Sequence, residues 1–475
     1  MKKNNSGTIL IQTIVFSTIA VMFISGLVSW ASLNLKAMKQ ASANEVAMHI
    51  AEAGVDYYRW HLAHAPQDFK DGTNNPGPYV HTFKDKNDNV LGNFSLTITP
   101  PPVGSTIVTV RSTGTSSTTP PKSRTIETKL AIPSWAKFAV AANDHMRFGE
   151  GTEVFGAVHS NKGVRFDGLA HNIVTSALAS YDDPDHGGGL EFGVHTHLAP
   201  VDPLPPAAVS NRPDVFMAGR QFPVSAIDFN GITADLANIK TQAVASGKYF
   251  GDSGFLGYRI LLKNNDTFDI YKVKTLASLP NNCTNTANQT GWGSWSIKNQ
   301  ANAQTLVGNF PIPANGLIFV EDDVWVEGII NTARATIASG VFPDNANTRT
   351  SITINNDLLY TNYDGQDSIA LIAQKNINVG MVSEDDLRID AALVAQNGRV
   401  GRFYYENDCD PYHDRNTLTL FGMIASSQRY GFAYTDGTGY DTRNIIYDAS
   451  MLYAPPPSFP LTSEPYQVIS WKEIE

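Results

Sequence analysis

The chain has few cysteines and few charges for its length. Its 475 residues include 2 cysteines, and charged residues make up 17% of the total. With two isolated cysteines, a structural zinc site built from thiolates is excluded. The formal net charge of −10 argues against the basic surface of a general nucleic-acid-binding protein, so we predict no nucleic-acid partner.

Signals of an enzyme are also scarce. A Gly-x-Ser-x-Gly nucleophile motif is absent from the sequence, which excludes the common serine hydrolase arrangement. Glycine (37) and proline (26) are abundant instead, as in turn-rich, β-rich extracytoplasmic proteins. We therefore expect no enzyme and no cofactor. The alternative is a polysaccharide-active enzyme that uses clustered carboxylates on a β-helix.

The most informative absence is at the start of the chain, where no charged side chain lies between Lys3 and Lys36. Residues 9–35 are mainly apolar, and about 20 such residues in a helix cross a bilayer. The helical pattern continues to residue 64, and Pro66 is expected to end it. Its predicted apolar stripe comprises Leu35, Met38, Ala43, Val46, Ile50, Ala53, Tyr57 and Leu62.

Three features of this region resemble a type IV pilin-like protein of the PilX-type minor pilin group. A short basic leader ends in Ser6-Gly7, and an uncharged apolar helix follows it. Further on stands the segment Ile50-Ala51-Glu52-Ala53-Gly54-Val55. The resemblance implies that a prepilin peptidase cuts between Gly7 and Thr8. It also implies a membrane location, pilin-like partner subunits and a surface role.

One residue departs from the pilin pattern. Gln12 stands at the fifth position after the expected cut, where major pilins have a glutamate that pairs with a neighbouring terminal amine. Gln12 can form hydrogen bonds but brings no charge. An ordinary single-pass envelope anchor therefore stays open as the alternative to a minor pilin or an adhesive filament component.

The predicted fold is α+β followed by all-β. Residues 1–7 form the leader, 8–65 the helix, and 66–133 a small antiparallel sheet that completes a pilin-like unit. The sheet is predicted because apolar residues alternate with polar ones and because the helix stripe needs a covering layer. Its predicted strands are 79–83, 90–99, 107–110 and 125–131.

Residues 134–475 contain short apolar strands that recur with polar corners between them. This recurrence favours a β-solenoid, in which stacked coils bury one continuous column; a twisted β-sandwich is the alternative. Residues 179–313 read as an insertion, and the C-terminal residues as a cap on the last coil. The similar segments are 156–166, 317–326, 370–379, 392–401 and 422–430.

Aspartates and histidines concentrate in one short stretch. Imidazole and carboxylate groups are usual ligands of zinc and related ions, and His195-x-His197 would present both rings on one side of a strand. The alternative is a polar loop in which Asp and Gly residues make turns. The candidate metal ligands are Asp182, Asp183, Asp185, His186, His195 and His197.

Two further sets of residues are candidates for special roles. Cys283 and Cys409 form a disulfide if their Cα atoms lie within about 7 Å, which their separation in sequence leaves open. Aromatic side chains in exposed loops are candidates for contact with a host-surface or polysaccharide ligand; packing in the core is the alternative for the tryptophans. These aromatics are Trp292, Trp295, Tyr404 and Tyr412.

Overall fold

The chain forms two compact units. A computed structural model describes residues 6–102, 104–229, 231–462 and 465–474, with side chains for all of these except residues 6–8 and 231–235. The first unit holds the residues up to 101, residues 107–131 and the residues from 465 onward. The second unit holds residues 102–106 and 132–464. Residues 1–5 of the predicted leader lie outside the described residues.

One helix dominates the first unit. Helix α1 (Ser6–His64) is 59 residues long and ends just before Pro66, as predicted. Its first half is apolar and exposed: the large side chains from Ile9 to Met38 have no cover within the chain. By length and composition this helix can cross a membrane. The single-pass anchor is therefore compatible with the structure.

The second half of α1 packs on a sheet, but not with the whole predicted stripe. Ala47, Ala51 and Tyr58 are fully buried, whereas their neighbours Val46, Ala53 and Tyr57 are half-buried. The burial of the remaining predicted stripe residues depends on which half of α1 they belong to. Ala43, Ile50 and Leu62 are buried, while Leu35 and Met38 are exposed. The packed face is therefore rotated by about one residue toward small side chains.

Close approach of helix and sheet explains this rotation. A Cβ atom added to Gly114 would lie 2.2 Å from the carbonyl oxygen of Ala47 and 2.4 Å from the amide nitrogen of Ala51. Only glycine beneath small helical residues allows such contact. The antiparallel strands of this sheet are β1 (Tyr79–Lys84), β2 (Val90–Thr99), β3 (Val108–Ser116) and β4 (Ser123–Ala131).

The second unit is a mostly-strand domain with parallel sheets and one helix, α2 (Gly231–Ser246). Short 3₁₀ turns occur at Trp135–Lys137, Asn407–Cys409 and Ala449–Leu452. Its strands are β5 (Val140–Ala142), β6 (Met146–Phe148), β7 (Thr152–Phe155), β8 (Val158–Ser160), β9 (Val164–Phe166), β10 (Leu169–Ala170), β11 (Val174–Ser176), β12 (Ser180–Asp182), β13 (Leu190–Phe192), β14 (Val194–His195), β15 (Arg220–Gln221), β16 (Lys248–Phe250), β17 (Tyr258–Lys263), β18 (Thr267–Val273), β19 (Gln304–Pro311), β20 (Leu317–Val320), β21 (Val324–Ile330), β22 (Arg334–Ser339), β23 (Ile352–Ile354), β24 (Leu358–Tyr360), β25 (Ser368–Ala373), β26 (Ile377–Val379), β27 (Asp386–Ala395), β28 (Val400–Arg402), β29 (Asp414–Ser426) and β30 (Gly439–Tyr447).

Stacked parallel strands build the core of this unit, which we call the parallel stack. In one ladder of ten residues, each residue pairs with the residue at the same position of the next strand. All ladder residues except the first and the last are buried. This parallel register is that of stacked coils and differs from the antiparallel sheets typical of a sandwich. The ladder runs through Lys248, Ile318, Ile337, Leu371, Leu393, Ile424, Val140, Val158, Val174 and Arg220.

Two boundaries differ from the sequence prediction. The segment predicted as an insertion, 179–313, contributes β16 and β17, which pair in parallel with β20 and β21. Of residues 455–475, which were predicted as a cap, 467–474 form strand β31 (Gln467–Ile474), which pairs with β4 in the small sheet, whereas Phe459 is buried in the core of the second unit. Both pairings join strands far apart in sequence, and local patterns carry no information about them.

Candidate functional site

Five side chains from the predicted metal-binding stretch and its neighbourhood come together beside the parallel stack. We call Asp183, His186, Glu191, His195 and His197 the His/carboxylate cluster. Ligand atoms of Asp183, His195 and His197 lie within 4.8 Å of one another, and so do those of His186, Glu191 and His197. His197 thus belongs to both groups.

The local backbone explains why these residues converge. Strands β12 and β13 form an antiparallel hairpin in which Tyr181 pairs with Glu191. Strand β14 follows at once and stacks on β9, which aligns His195 with Arg165. Glu191, His195 and His197 are an even number of residues apart, so extended backbone points them toward one side.

Two carboxylates of the cluster are buried. Asp183 and Glu191 are 3% and 2% exposed, and His195 is fully buried. Oε1 of Glu191 lies 3.2 Å from Nδ1 of His186 and 3.2 Å from Nε2 of His197. Burial of two carboxylates without matched positive charge is costly in free energy. The charges and hydrogen bonds around Asp183 and Glu191 therefore determine how these carboxylates are stabilised.

The groups around the cluster orient its side chains through hydrogen bonds, and they supply little positive charge. Nδ1 of His195 lies 3.2 Å from the carbonyl oxygen of Phe192; because a carbonyl only accepts, Nδ1 carries the proton. The backbone N–H of His197 donates to Asp167 at 2.8 Å. Arg165 is 3.7 Å from Asp183 but donates to Asp167 at 2.7 Å. Its charge is therefore shared between Asp167 and Asp183.

The pKa values follow from these contacts. Burial alone would raise the pKa of Asp183, but the neighbouring His195 and the N–H of Asp185 hold it well below its usual range. Burial lowers the pKa of the His197 imidazole, and the charge of Arg165 lowers it further. At neutral pH the cluster therefore contains an ionised Asp183 and a neutral His197, whose Nε2 is in hydrogen-bond contact with Oε1 of Glu191.

Two of the predicted ligands lie outside the cluster. Asp182 is exposed at the end of β12, and it belongs to neither group of ligand atoms among the described residues. Asp185 binds Arg429 in a bidentate pair and lies 3.6 Å from Arg147. The sequence reasoning missed Glu191, although its even spacing from the two histidines was a usable signal.

A cavity of about 1060 Å³ lies beside the cluster in the second unit. His197 and Arg165 line it together with residues of β6, of β30 and of the loop between β29 and β30, among them Arg147, Arg429 and Tyr430. The cavity opens the His197 side of the cluster to small solutes. Many of its charged side chains are already paired with each other, as Asp185 is with Arg429.

The predicted aromatic residues form a separate cluster around a disulfide. Cys283 and Cys409 are bonded, with Cα atoms 4.5 Å apart, and they pack with Met381, Phe403 and Tyr405. This disulfide ties the loop before β19 to the loop after β28. Sequence separation alone had left this pairing open.

Hydrogen bonds already engage the polar groups of three of the four predicted contact residues, and a cation–π contact covers the ring of the fourth, Tyr412. The indole N–H of Trp292 donates to the carbonyl of Tyr404, and that of Trp295 to the carbonyl of Gly291. The hydroxyl of Tyr404 donates to Asp436, and Tyr412 lies under the guanidinium of Arg415. What remains available to a ligand is ring surface, so ligand contact by these residues stays a prediction.

The residues of the expected leader cut are only partly described. Gly7 and Thr8 lie within α1, and their side chains are outside the described residues. Gln12 is on the exposed part of α1. These positions place the expected cut at the very start of the helix.

Comparisons with known proteins give little further information. No protein-family model matches the chain, and none of the curated proteins matches it. Among solved structures it is similar to the competence-associated pilin ComZ from Thermus thermophilus, with 13% identity and a TM-score of 0.29. The match covers 91% of this chain and 98% of the other. A likeness this weak carries no argument about function.

Proposed function

We propose that this chain is a membrane-anchored, pilin-like surface protein: a minor pilin or a structural, adhesive component associated with a filament. The observation that carries the proposal is the division of α1 into two halves. Its first half exposes apolar and uncharged polar side chains, and one face of its second half is buried against the small sheet. One continuous helix thus links a bilayer-compatible segment to a folded body.

The exposed half of α1 supports this role energetically. Ile19 and Phe23 are 44% and 71% exposed, and water-exposed apolar surface of this extent is a strong drive toward lipid or a partner. In the proposed function the bilayer covers this surface first, and helices of neighbouring pilin-like subunits cover it in a filament. The second unit then faces the outside and offers its loops to a host surface or polysaccharide.

Membrane retention tests the anchor. In the double variant Ile19→Asp/Phe23→Asp, each charge costs about 3 kcal/mol at the bilayer centre, so we expect a shift from the membrane to the soluble fraction. The matched control is Trp60→Asp/His64→Asp, which adds the same charge to the exposed side of the packed half. Equal retention of both variants, or a wild-type chain that is soluble without detergent, would refute the anchor.

Leader processing tests the pilin-like role separately. Coexpression with a prepilin peptidase is expected to yield a mature chain that starts at a free or methylated Thr8 by mass spectrometry. A Gly7→Val variant should keep its leader. An intact leader on the wild-type chain would favour a plain single-pass anchor.

We also propose that the protein is not an enzyme. The rival function is an anchored polysaccharide-active enzyme, and the cavity beside the His/carboxylate cluster is the feature that favours it. A glycan panel assayed both for binding and for released reducing ends separates the two. Binding without release supports the adhesive role, and turnover would overturn it.

A further inference from the structure

Three buried atoms of the His/carboxylate cluster lack hydrogen-bond partners. They are Nε2 of His195, Oδ2 of Asp183 and Oε2 of Glu191, as assessed over the described part of the chain. Nε2 of His195 and Oδ2 of Asp183 face each other at 3.5 Å. With its proton on Nδ1, as the contact with the Phe192 carbonyl favours, Nε2 of His195 would face Asp183 as a second acceptor. Either a proton or a metal ion between these two atoms would satisfy both.

We propose that the His/carboxylate cluster binds one divalent transition-metal ion of the zinc class, with Asp183, His195 and His197 as ligands and Glu191 and His186 beside them. This proposal goes beyond the anchoring role and does not depend on it. It concerns only the second unit.

The spacing of the ligand atoms fits such an ion. Zinc bonds of about 2.0–2.1 Å in tetrahedral geometry separate two ligand atoms by about 3.3 Å. Nε2 of His195 and Oδ2 of Asp183 are 3.5 Å apart, and the ligand atoms of Asp183, His195 and His197 all lie within 4.8 Å of one another. Side-chain shifts of about 1 Å would therefore bring the three ligand atoms to zinc-binding distances. The mixture of imidazole and carboxylate favours zinc and its transition-metal neighbours over calcium or magnesium.

Charge balance supports a divalent ion. Asp183 and Glu191 bring two negative charges into a site where both are almost fully buried. The nearest guanidinium, that of Arg165, donates to Asp167 and lies 3.7 Å from Asp183, so its single charge is shared between two carboxylates. A 2+ ion would match the two carboxylates without protonating the histidines. The competing arrangement is a proton shared between His195 and Asp183.

The contacts around the ligands are those of a prepared site. Histidine ligands usually donate their second ring N–H to a carbonyl or carboxylate, which fixes ring orientation; His195 does so toward Phe192. The carboxylate of Asp183 is held through its other oxygen, which accepts from the N–H of Asp185 at 3.0 Å. His197 lines the neighbouring cavity, which gives an ion a route into the site.

Metal content of the full-length chain tests the proposal. The protein is purified in detergent, stripped with a chelator, incubated with zinc or cobalt and dialysed. Elemental mass spectrometry is expected to find one zinc per chain. The cobalt form should show the intense visible absorption of a tetrahedral site. Calcium and magnesium should not be retained.

Two ligand variants and one control make the result specific. His195→Gln and Asp183→Asn should lower zinc affinity by more than the roughly 10–100-fold that changes outside the ligand shell cause. They should also abolish the cobalt absorption. His171→Gln is the control, because His171 pairs with Glu153 at 3.1 Å outside the cluster. Circular dichroism verifies that each variant is folded.

Three results would overturn the proposal. The first is a wild-type chain that retains no zinc and whose unfolding temperature does not respond to zinc; this outcome would assign the shared proton to His195 and Asp183. The second is zinc bound equally by wild type and by both ligand variants. The third is a loss of zinc in His171→Gln as large as in His195→Gln.

Discussion

Replacing Gly114 with alanine tests the contact that holds α1 on the small sheet. The new methyl carbon would stand 2.2 Å from the carbonyl oxygen of Ala47, 2.4 Å from the amide nitrogen of Ala51 and 2.9 Å from the carbonyl carbon of Ile50. All three atoms belong to the helix backbone, so no side chain can rotate away to make room. The helix itself must move.

The size of the effect follows from that displacement. Restoring an ordinary contact requires α1 to move away from β3 by about 1 Å, and a radial gap of this size forfeits up to about half of each dispersion contact. Ala47, Ile50 and Ala51 are fully buried in the present arrangement, so all three would lose contact. Overpacking of this kind costs about 1–3 kcal/mol. We expect a value near the upper limit, because backbone rather than side chain is displaced.

Hydrogen exchange read by mass spectrometry localises the effect. In Gly114→Ala, amides of β3 and β4 should exchange faster, while amides of β27 and β29 in the parallel stack keep their protection. The matched control is Gly26→Ala in the same helix, where an added Cβ meets nothing within 4 Å. It should leave β3 and β4 unchanged. Equal protection in wild type and Gly114→Ala would show that the close approach of helix and sheet does not hold in solution.

Three further predictions concern the second unit. Removing the disulfide with Cys283→Ser/Cys409→Ser, which opens a loop of 126 residues, should lower the free energy of unfolding by about 2–5 kcal/mol in urea titrations, and an unchanged midpoint would refute this. Arg402 is fully buried and donates to the carbonyls of residues 380, 381 and 412, so Arg402→Met should cost about 3 kcal/mol by leaving them unpaired, with a loss below 1 kcal/mol as the contrary result. Burial raises the pKa of Asp323 from 3.8 to about 6, so the folded state binds its proton more tightly and stability should fall by up to about 3 kcal/mol as pH rises from 4 through 6. Asp323→Asn keeps an acceptor for the N–H of Ser351 and should remove that part of the pH dependence, whereas parallel pH profiles of the two proteins would contradict the assignment.

In the first unit, local sequence patterns predicted where the helix and strands lie. They predicted less well how these elements pack on one another. Proline chemistry placed the end of α1 correctly, and alternation located β1, β2 and β4 to within about two residues, whereas β3 runs six residues beyond its predicted end. The buried face of the helix was predicted one residue away, because Gly114 allows an approach that hydrophobic periodicity does not encode. The strand β31 was missed for a related reason: its partner lies more than 300 residues earlier.

The candidate site was partly visible in the sequence. His195 and His197 share a side by simple alternation, and Asp183 and His186 stand close by in the chain. Glu191 follows the same alternation but was left out of the predicted ligands, and the engagement of Asp185 by Arg429 could not be read from local spacing. The second depends on a contact 244 residues away in sequence, which only the stacking of strands creates.

The order of strands in the parallel stack has a mechanical consequence. Its two outermost strands, β15 and β16, lie only 27 residues apart in sequence, whereas β5 pairs with β29 in the interior. Tension carried along the chain from residues 131 and 465 therefore arrives at β5 and β30, which are inner strands with neighbours on both sides. A linear repeat array peels open from a loaded end. Here a pull must shear central strands past their neighbours before either end can unravel.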